Sequence, residues 1–217
     1  MKNILLPLLF LSCFLVTSCG KIKLSSEWCR RNITIDGNDI DWKGMSTLEK
    51  ENISILLAND SEHMFVCLSS SDPEIQRQVL LHGFTVWFNP KGKGKFGIRF
   101  PMGKRKTEHK HDKKRDTFME LGLLMKRFNR SDKTIEILGP GKDQSRFLAL
   151  EDIEKYGIYG IKADIGTSDG KMIYELKVPL RKNTQHRYAI GTASGDLIDM
   201  AFEAGEPDDN MGGMQSP

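Results

Sequence analysis

The sequence predicts an all-β fold: an antiparallel β-sandwich of the jelly-roll or immunoglobulin-like kind, with one or two short helices. Three observations carry this. About nine short runs alternate apolar and polar residues, with turn-forming clusters about every eight to twelve residues. Helical periodicity is confined to brief segments. The composition, 39% hydrophobic and 28% charged over 217 residues, is that of an ordinary globular chain. No internal repeat and no nucleotide-binding glycine pattern appears.

Residues 1–18 have the layout of a signal peptide: Lys2, an apolar run from Ile4 to Val16, then small residues. The run is too short for an ordinary membrane span. Residues 19–31 are rich in Gly, Lys and Ser and are expected to form a tether. The sandwich is expected to fill residues 32–204, and residues 205–217 to be a disordered tail.

Within the sandwich, Ile33-Thr34-Ile35 leads into the turn cluster Asp36-Gly37-Asn38-Asp39. Ile53, Ile55 and Leu57 share one face of a strand, and Met64, Val66 and Leu68 share one face of the next. Asn59-Asp60-Ser61 joins them as a hairpin. Asp72-Pro73 reads as an N-cap with proline at the first helical position, opening a short helix that runs to His82 and stops at Gly83. Phe84 to Asn89 and Lys95 to Phe100 read as strands around a Gly/Pro/Lys loop. Phe118 to Phe128 has helical character and Thr134 to Leu138 is extended. Asp152 to Tyr156 reads as a helical turn. Late strands are expected at Tyr159–Ile165, Met172–Val178, Tyr188–Ala193 and Leu197–Phe202.

Charge and cysteines narrow the function classes. The net charge of +3 is too small to argue for nucleic acid as a partner. The positive charge is concentrated in 102–116, a solvated loop suited to anionic lipid or polyanionic glycan. His109 and His111 inside it would share a strand face and could bind a transition metal, but the surrounding lysines oppose a cation. Of four cysteines, Cys13 lies in the leader. Cys29 and Cys67 leave two readings open, a disulfide or a reduced buried thiol. No catalytic constellation stands out, and the chain is not expected to be an enzyme.

Strand geometry selects the candidate binding residues. If the strands from Phe84 and Lys95 pair, then Phe84, Val86, Phe88, Phe96, Ile98 and Phe100 form the core face. Trp87 and Arg99 then share the opposite, polar face. Glu175 is likewise off the Tyr174-Leu176-Val178 face. A flat aromatic beside a fork of donors suits a sugar ring or an anionic group. The alternative is that residues 118–150 fold over this face and bury Trp87. Trp42 is expected to plug one end of the sandwich. Asp36, Asn38, Asp39 and Asp41 offer oxygen ligands of the kind calcium takes. They resemble half of an EF-hand loop without the glutamate at its twelfth position, which here is Thr47. The alternative is an Asx-rich turn satisfying its own backbone.

Two resemblances extend this reading. Val16-Thr17-Ser18-Cys19 resembles the lipobox of bacterial lipoproteins. That implies cleavage before Cys19, acylation of its thiol with a palmitate-type chain, and a lipid-anchored protein of the cell envelope. Gly20 is not the aspartate associated with inner-membrane retention in some bacteria, which favours the outer membrane. The second resemblance rests on four stretches: Ile35-Asp36-Gly37 with Asp41-Trp42; Leu57 through Val66; Thr85-Val86-Trp87-Phe88-Asn89-Pro90; and Tyr174 through Leu180. Their order is similar to the family 9 carbohydrate-binding modules and the wider DOMON-like sandwiches. The likeness implies a non-catalytic binding domain, with carbohydrate as ligand through Trp87, Arg99 and Glu175, and calcium as a structural ion. Some relatives in the wider group bind haem, for which His63, His82 or Met64 would have to serve as axial ligand. A third possibility is a structural envelope protein whose partner is another protein.

Overall fold

The computed structural model describes residues 24–91, 94–103, 117–128, 134–139, 145–149 and 160–205. The leader, Cys19, His109, His111, most of the basic block, the expected turn at 152–156 and the tail from 206 lie outside the described residues.

Two sheets form a sandwich. The first contains β1 (Glu27–Trp28), β2 (Leu48–Lys50), β3 (Ile53–Asn59), β4 (His63–Ser70), β9 (Lys162–Ser168) and β10 (Lys171–Pro179). Its order is β1-β3-β4-β10-β9, with β2 also paired to β3. The second contains β5 (Phe84–Pro90), β6 (Phe96–Arg99), β7 (Thr134–Leu138), β8 (Ser145–Ala149) and β11 (Ile198–Ala204), in the order β11-β5-β6-β7-β8. All described pairings are antiparallel except β1 on β3.

Period-two alternation sets the core. Ile55, Leu57, Met64, Val66, Leu68, Tyr174, Leu176 and Val178 of the first sheet meet Phe84, Val86, Phe88, Phe96, Ile98, Ile135 and Ile137 of the second. The other face of the first sheet is also covered. Residues 29–47 cross it as a strap, and Ile33 and Trp42 pack there on Leu56, Ala58, Phe65, Cys67 and Ile173. Burial on both faces is the reason that β3 and β4 read as nearly continuous apolar runs.

Among the described residues, two short α-helices accompany the sheets. In α1 (Pro73–His82), Asp72 accepts a hydrogen bond from the Glu74 N–H at 2.9 Å. Gly83, at φ 86°, ends the helix and donates its N–H to the Val79 carbonyl. Gln76, buried in α1, donates to the Ser70 carbonyl at 2.8 Å, which ties the helix to the end of β4. The second helix, α2 (Thr117–Phe128), packs beside α1, with Leu124 buried against the core.

Several expectations change. The first residues of the expected tether are docked, because Glu27 and Trp28 pair with Ala58 and Asn59. Trp42 lies on the outer face of the first sheet rather than plugging an end. Tyr188–Ala193 is not a strand. Its backbone N–H groups at Ile190, Gly191 and Thr192 bond to the Pro179 and Leu180 carbonyls, and Gly191 at φ 86° breaks the extended path. Thr134–Leu138 and Ser145–Ala149 extend the second sheet as β7 and β8 instead of folding over it. Cys29 and Cys67 are both free thiols. Burial pushes the Cys67 thiol well up.

Candidate functional site on the second sheet

The outer face of the second sheet follows from the register of its strands. Arg99 pairs with Thr85 on one side and Glu136 on the other, and Glu136 pairs with Phe147. Glu203 pairs with Thr85 across β11. One row therefore reads Glu203, Thr85, Arg99, Glu136, Phe147. The next row reads Ala201, Trp87, Gly97, Leu138, Ser145. Paired residues share a face, so these two rows lie on one face of the sheet and form a platform.

Trp87 lies flat on it. A Cβ at Gly97 would come within 2.5 Å of the indole, so glycine is what lets the ring rest on the neighbouring strand. The indole N–H donates to Glu203 at 2.7 Å, which fixes the in-plane orientation of the ring. The Lys95 ammonium stands 3.7 Å from the ring centroid, a cation–π contact on the solvent side. The ring is half-buried rather than enclosed.

Arg99 is held from two sides. Its Nε donates to the Thr85 hydroxyl at 3.2 Å and its Nη1 to Glu136 at 2.9 Å. Its side chain is 36% exposed and that of Glu136 is 8% exposed. The guanidinium is therefore pre-positioned by a buried carboxylate, while its second terminal nitrogen makes no bond among the described residues. Phe147, 53% exposed, stands at the far end of the row. Three strand spacings separate its strand from that of Trp87, about 14 Å.

Trp87 and Arg99 are brought together as expected from alternation, but Glu175 does not join them. It lies on the outer face of the first sheet, fully buried beneath the strap. Its two oxygens accept from Trp42 Nε1 at 2.7 Å, the Gly37 N–H at 2.7 Å and the Asp36 N–H at 2.9 Å. Burial raises its pKa, and these three donors act against that rise. Glu175 thus anchors the strap, and no ligand can touch it together with Trp87.

The acidic cluster also differs from a metal site. Asp36 accepts from the Asn38 N–H, Asn38 from the Ile40 N–H, Asp41 from the Thr34 N–H, and Asp39 from the Ser168 hydroxyl. Asp36 and Asn38 thus form Asx turns on their own backbone, while Asp41 ties back to Thr34 and Asp39 to Ser168 on β9. Among the described residues, no group of three or more His, Cys, Asp or Glu side chains is placed to hold a metal ion. The haem candidates do not converge either. His63 and Met64 are successive on β4 and face opposite sides of the sheet, and His82 ends α1.

Glu136, Phe147, Lys95 and Glu203 were not among the sequence candidates. The alternation of Ile135 and Ile137 in Thr134–Leu138 carried a signal for Glu136. Phe147 carries none, because its neighbour Leu148 is equally apolar and the segment lacks alternation.

Among the described residues, no helix is long and apolar enough to cross a membrane. Compared with known proteins, the chain matches no family model, no curated protein and no solved structure.

Proposed function

We propose that this chain is a lipid-anchored, non-catalytic binding domain of the bacterial cell envelope, of the family 9 module or DOMON-like type, and that the outer face of its second sheet takes a carbohydrate. The observation that carries the reading is Trp87, flat and half-exposed beside the clamped Arg99. An aromatic face stacks on the apolar face of a sugar ring, and a guanidinium held by a carboxylate donates to hydroxyls without paying for its own ordering. Lys95 is the movable part. Its ammonium swings off the indole as a sugar arrives. Phe147 at the far end of the platform suits an extended glycan better than a single sugar.

Thermal unfolding of the purified chain against a panel of glycans tests this. A ligand at about one hundred times its dissociation constant adds about 2.7 kcal/mol, which raises the midpoint of a domain this size by about 5–10 °C. One glycan class is expected to produce the rise, and Trp87→Ala, still folded, to abolish it. A rise that survives in Trp87→Ala, or none across the panel, would rule out this site as the glycan platform.

A further inference from the structure

The sandwich has an open side. Where β11 ends the second sheet, and β1 and β2 flank the edge of the first, the sheets part into a groove of about 710 Å³. That volume is within the range of small-molecule sites. Its wall is apolar: the core residues Ile55, Leu57 and Met64 from the first sheet, and the half-buried Met200 and Phe202, packed against that core, from the second. None of these side chains offers a strong hydrogen-bonding group, so the interior suits hydrocarbon and not sugar. Among the described residues, two of the five exposed large apolar side chains stand on this groove, Trp28 at 57% and Leu197 at 77%. Lys50, Asn59, Ser194, Asp196 and Asp199 add polar groups to its lining.

The position of the chain's entry says what reaches it. Leu24, Ser25 and Ser26 line the groove as the chain enters the fold. Cys19 precedes Leu24 by five residues, a reach of at most about 17 Å when extended. An anchor on Cys19 therefore holds this open side close to the bilayer. A tryptophan and a leucine beside the groove, with a lysine nearby, are side chains that an interface accepts, the indole among headgroups and the ammonium against anionic lipid.

We propose that this groove takes an acyl chain of a membrane lipid. The inference rests on the lipid-anchor reading of Cys19 and is independent of the glycan platform. The lipid places one hydrocarbon chain between the sheets, against Leu57, Met64 and Met200. Its headgroup stays outside, near Lys50.

Photo-crosslinking tests it. The mature chain is placed on vesicles of phosphatidylethanolamine and phosphatidylglycerol that contain a phospholipid with a diazirine in mid-chain. After illumination, labelled peptides are mapped by mass spectrometry. Label is expected in residues 48–57 and 193–202, and is expected to fall about tenfold in two variants. Leu197→Asp puts a carboxylate at the groove on an already exposed position, and Ala193→Trp fills the groove. Their unfolding midpoints show whether each is folded. Label confined to the chain before Leu24, label unchanged in both folded variants, or crosslinks joining this edge to a second chain would overturn the proposal. If the mass shows no lipid on Cys19, the anchor reading fails by itself. The groove is then tested with palmitate bearing the same diazirine: label in the same two segments supports it, and none overturns it.

Discussion

Glu175 shows how much one side chain organises. Three N–H groups of the strap converge on its two oxygens, so a single carboxylate stands where three separate acceptors would otherwise be needed. In Glu175→Gln one oxygen becomes an amide that faces an N–H donor. The variant is expected to lose about 1–3 kcal/mol at neutral pH, measured by denaturant unfolding. Amide exchange at Asp36 and Gly37 is expected to quicken with it. The pH dependence has a definite sign. Burial holds the folded pKa above the unfolded value of about 4.3. As pH rises past that value the unfolded chain ionises first, so the group's contribution to stability falls until Glu175 itself ionises. The stability of the wild type relative to the Gln variant is therefore expected to decline with rising pH across that window. A flat difference would contradict it. His63 behaves in the opposite way. Burial lowers its folded pKa, with Lys177 adding to the effect. Stability held above the unfolded value of about 6.5 is lost as pH falls through it.

Two further residues make sharp tests. Gly97→Ala adds only a methyl group, on a strand where alanine is intrinsically no worse than glycine. That methyl meets the indole of Trp87, so the ring must lift. The expected result is a fold of unchanged stability, within about 1 kcal/mol, with altered tryptophan emission and weakened glycan stabilisation. Tyr174 is fully buried, and among the described residues its hydroxyl has no partner. Tyr174→Phe is therefore expected to hold or raise the unfolding midpoint.

At the scale of elements, the strap is the least obvious part of the fold. Its turn presses on β9, where a Cβ on Gly37 would come within 2.5 Å of the Gly166 N and one on Gly166 within 2.2 Å of the Gly37 carbonyl oxygen. Gly37 also sits at φ 77°, where glycine is favoured. Gly166→Ala is expected to push the turn outward and cost about 1–3 kcal/mol by overpacking, read as a lower unfolding midpoint with the β-rich circular dichroism retained. The hairpin β3–β4, helix α1 and the β5–β6 pair were legible in the sequence. Each is specified locally, by alternation, by a cap and by turn residues. The strands β1, β2 and β8 were not. β1 is two residues long and is a strand only because of a neighbour distant in the chain, β3 at Ala58 and Asn59; β2 and β8 pair with the strands next to them in sequence, β3 and β7, but are three and five residues long and lack a clear apolar alternation. The apolar run 188–193 has a strand-like pattern without being a strand. Its Ala189 and Ile190 are buried, but they anchor a loop rather than pair in a ladder.

For the whole molecule, the two proposed sites occupy different places, the platform on the outer face of the second sheet and the groove along its β11 edge. Both use β11, Ala201 and Glu203 for the platform and Met200 and Phe202 for the groove, but Trp87 and Leu197 share no partner, and substitutions without shared partners add. Leu197→Asp is expected to leave glycan stabilisation unchanged, and Trp87→Ala to leave acyl-chain labelling unchanged. Coupling between them, seen as loss of both activities in either single variant, would mean that the sheet responds as one unit.

The sequence by itself determined the class of fold, the core faces of its main strands and the placement of Trp87 and Arg99 on one side, because alternation and turn chemistry act over a few residues. Tertiary structure decided which of the predicted site residues meet. It separated Glu175 from Trp87 by placing their strands in opposite sheets. It added Glu136 and Phe147 by pairing β6, β7 and β8 in register. Each of these outcomes depends on which strand lies beside which, and that is settled by the joint burial of both sheets and not by any local pattern.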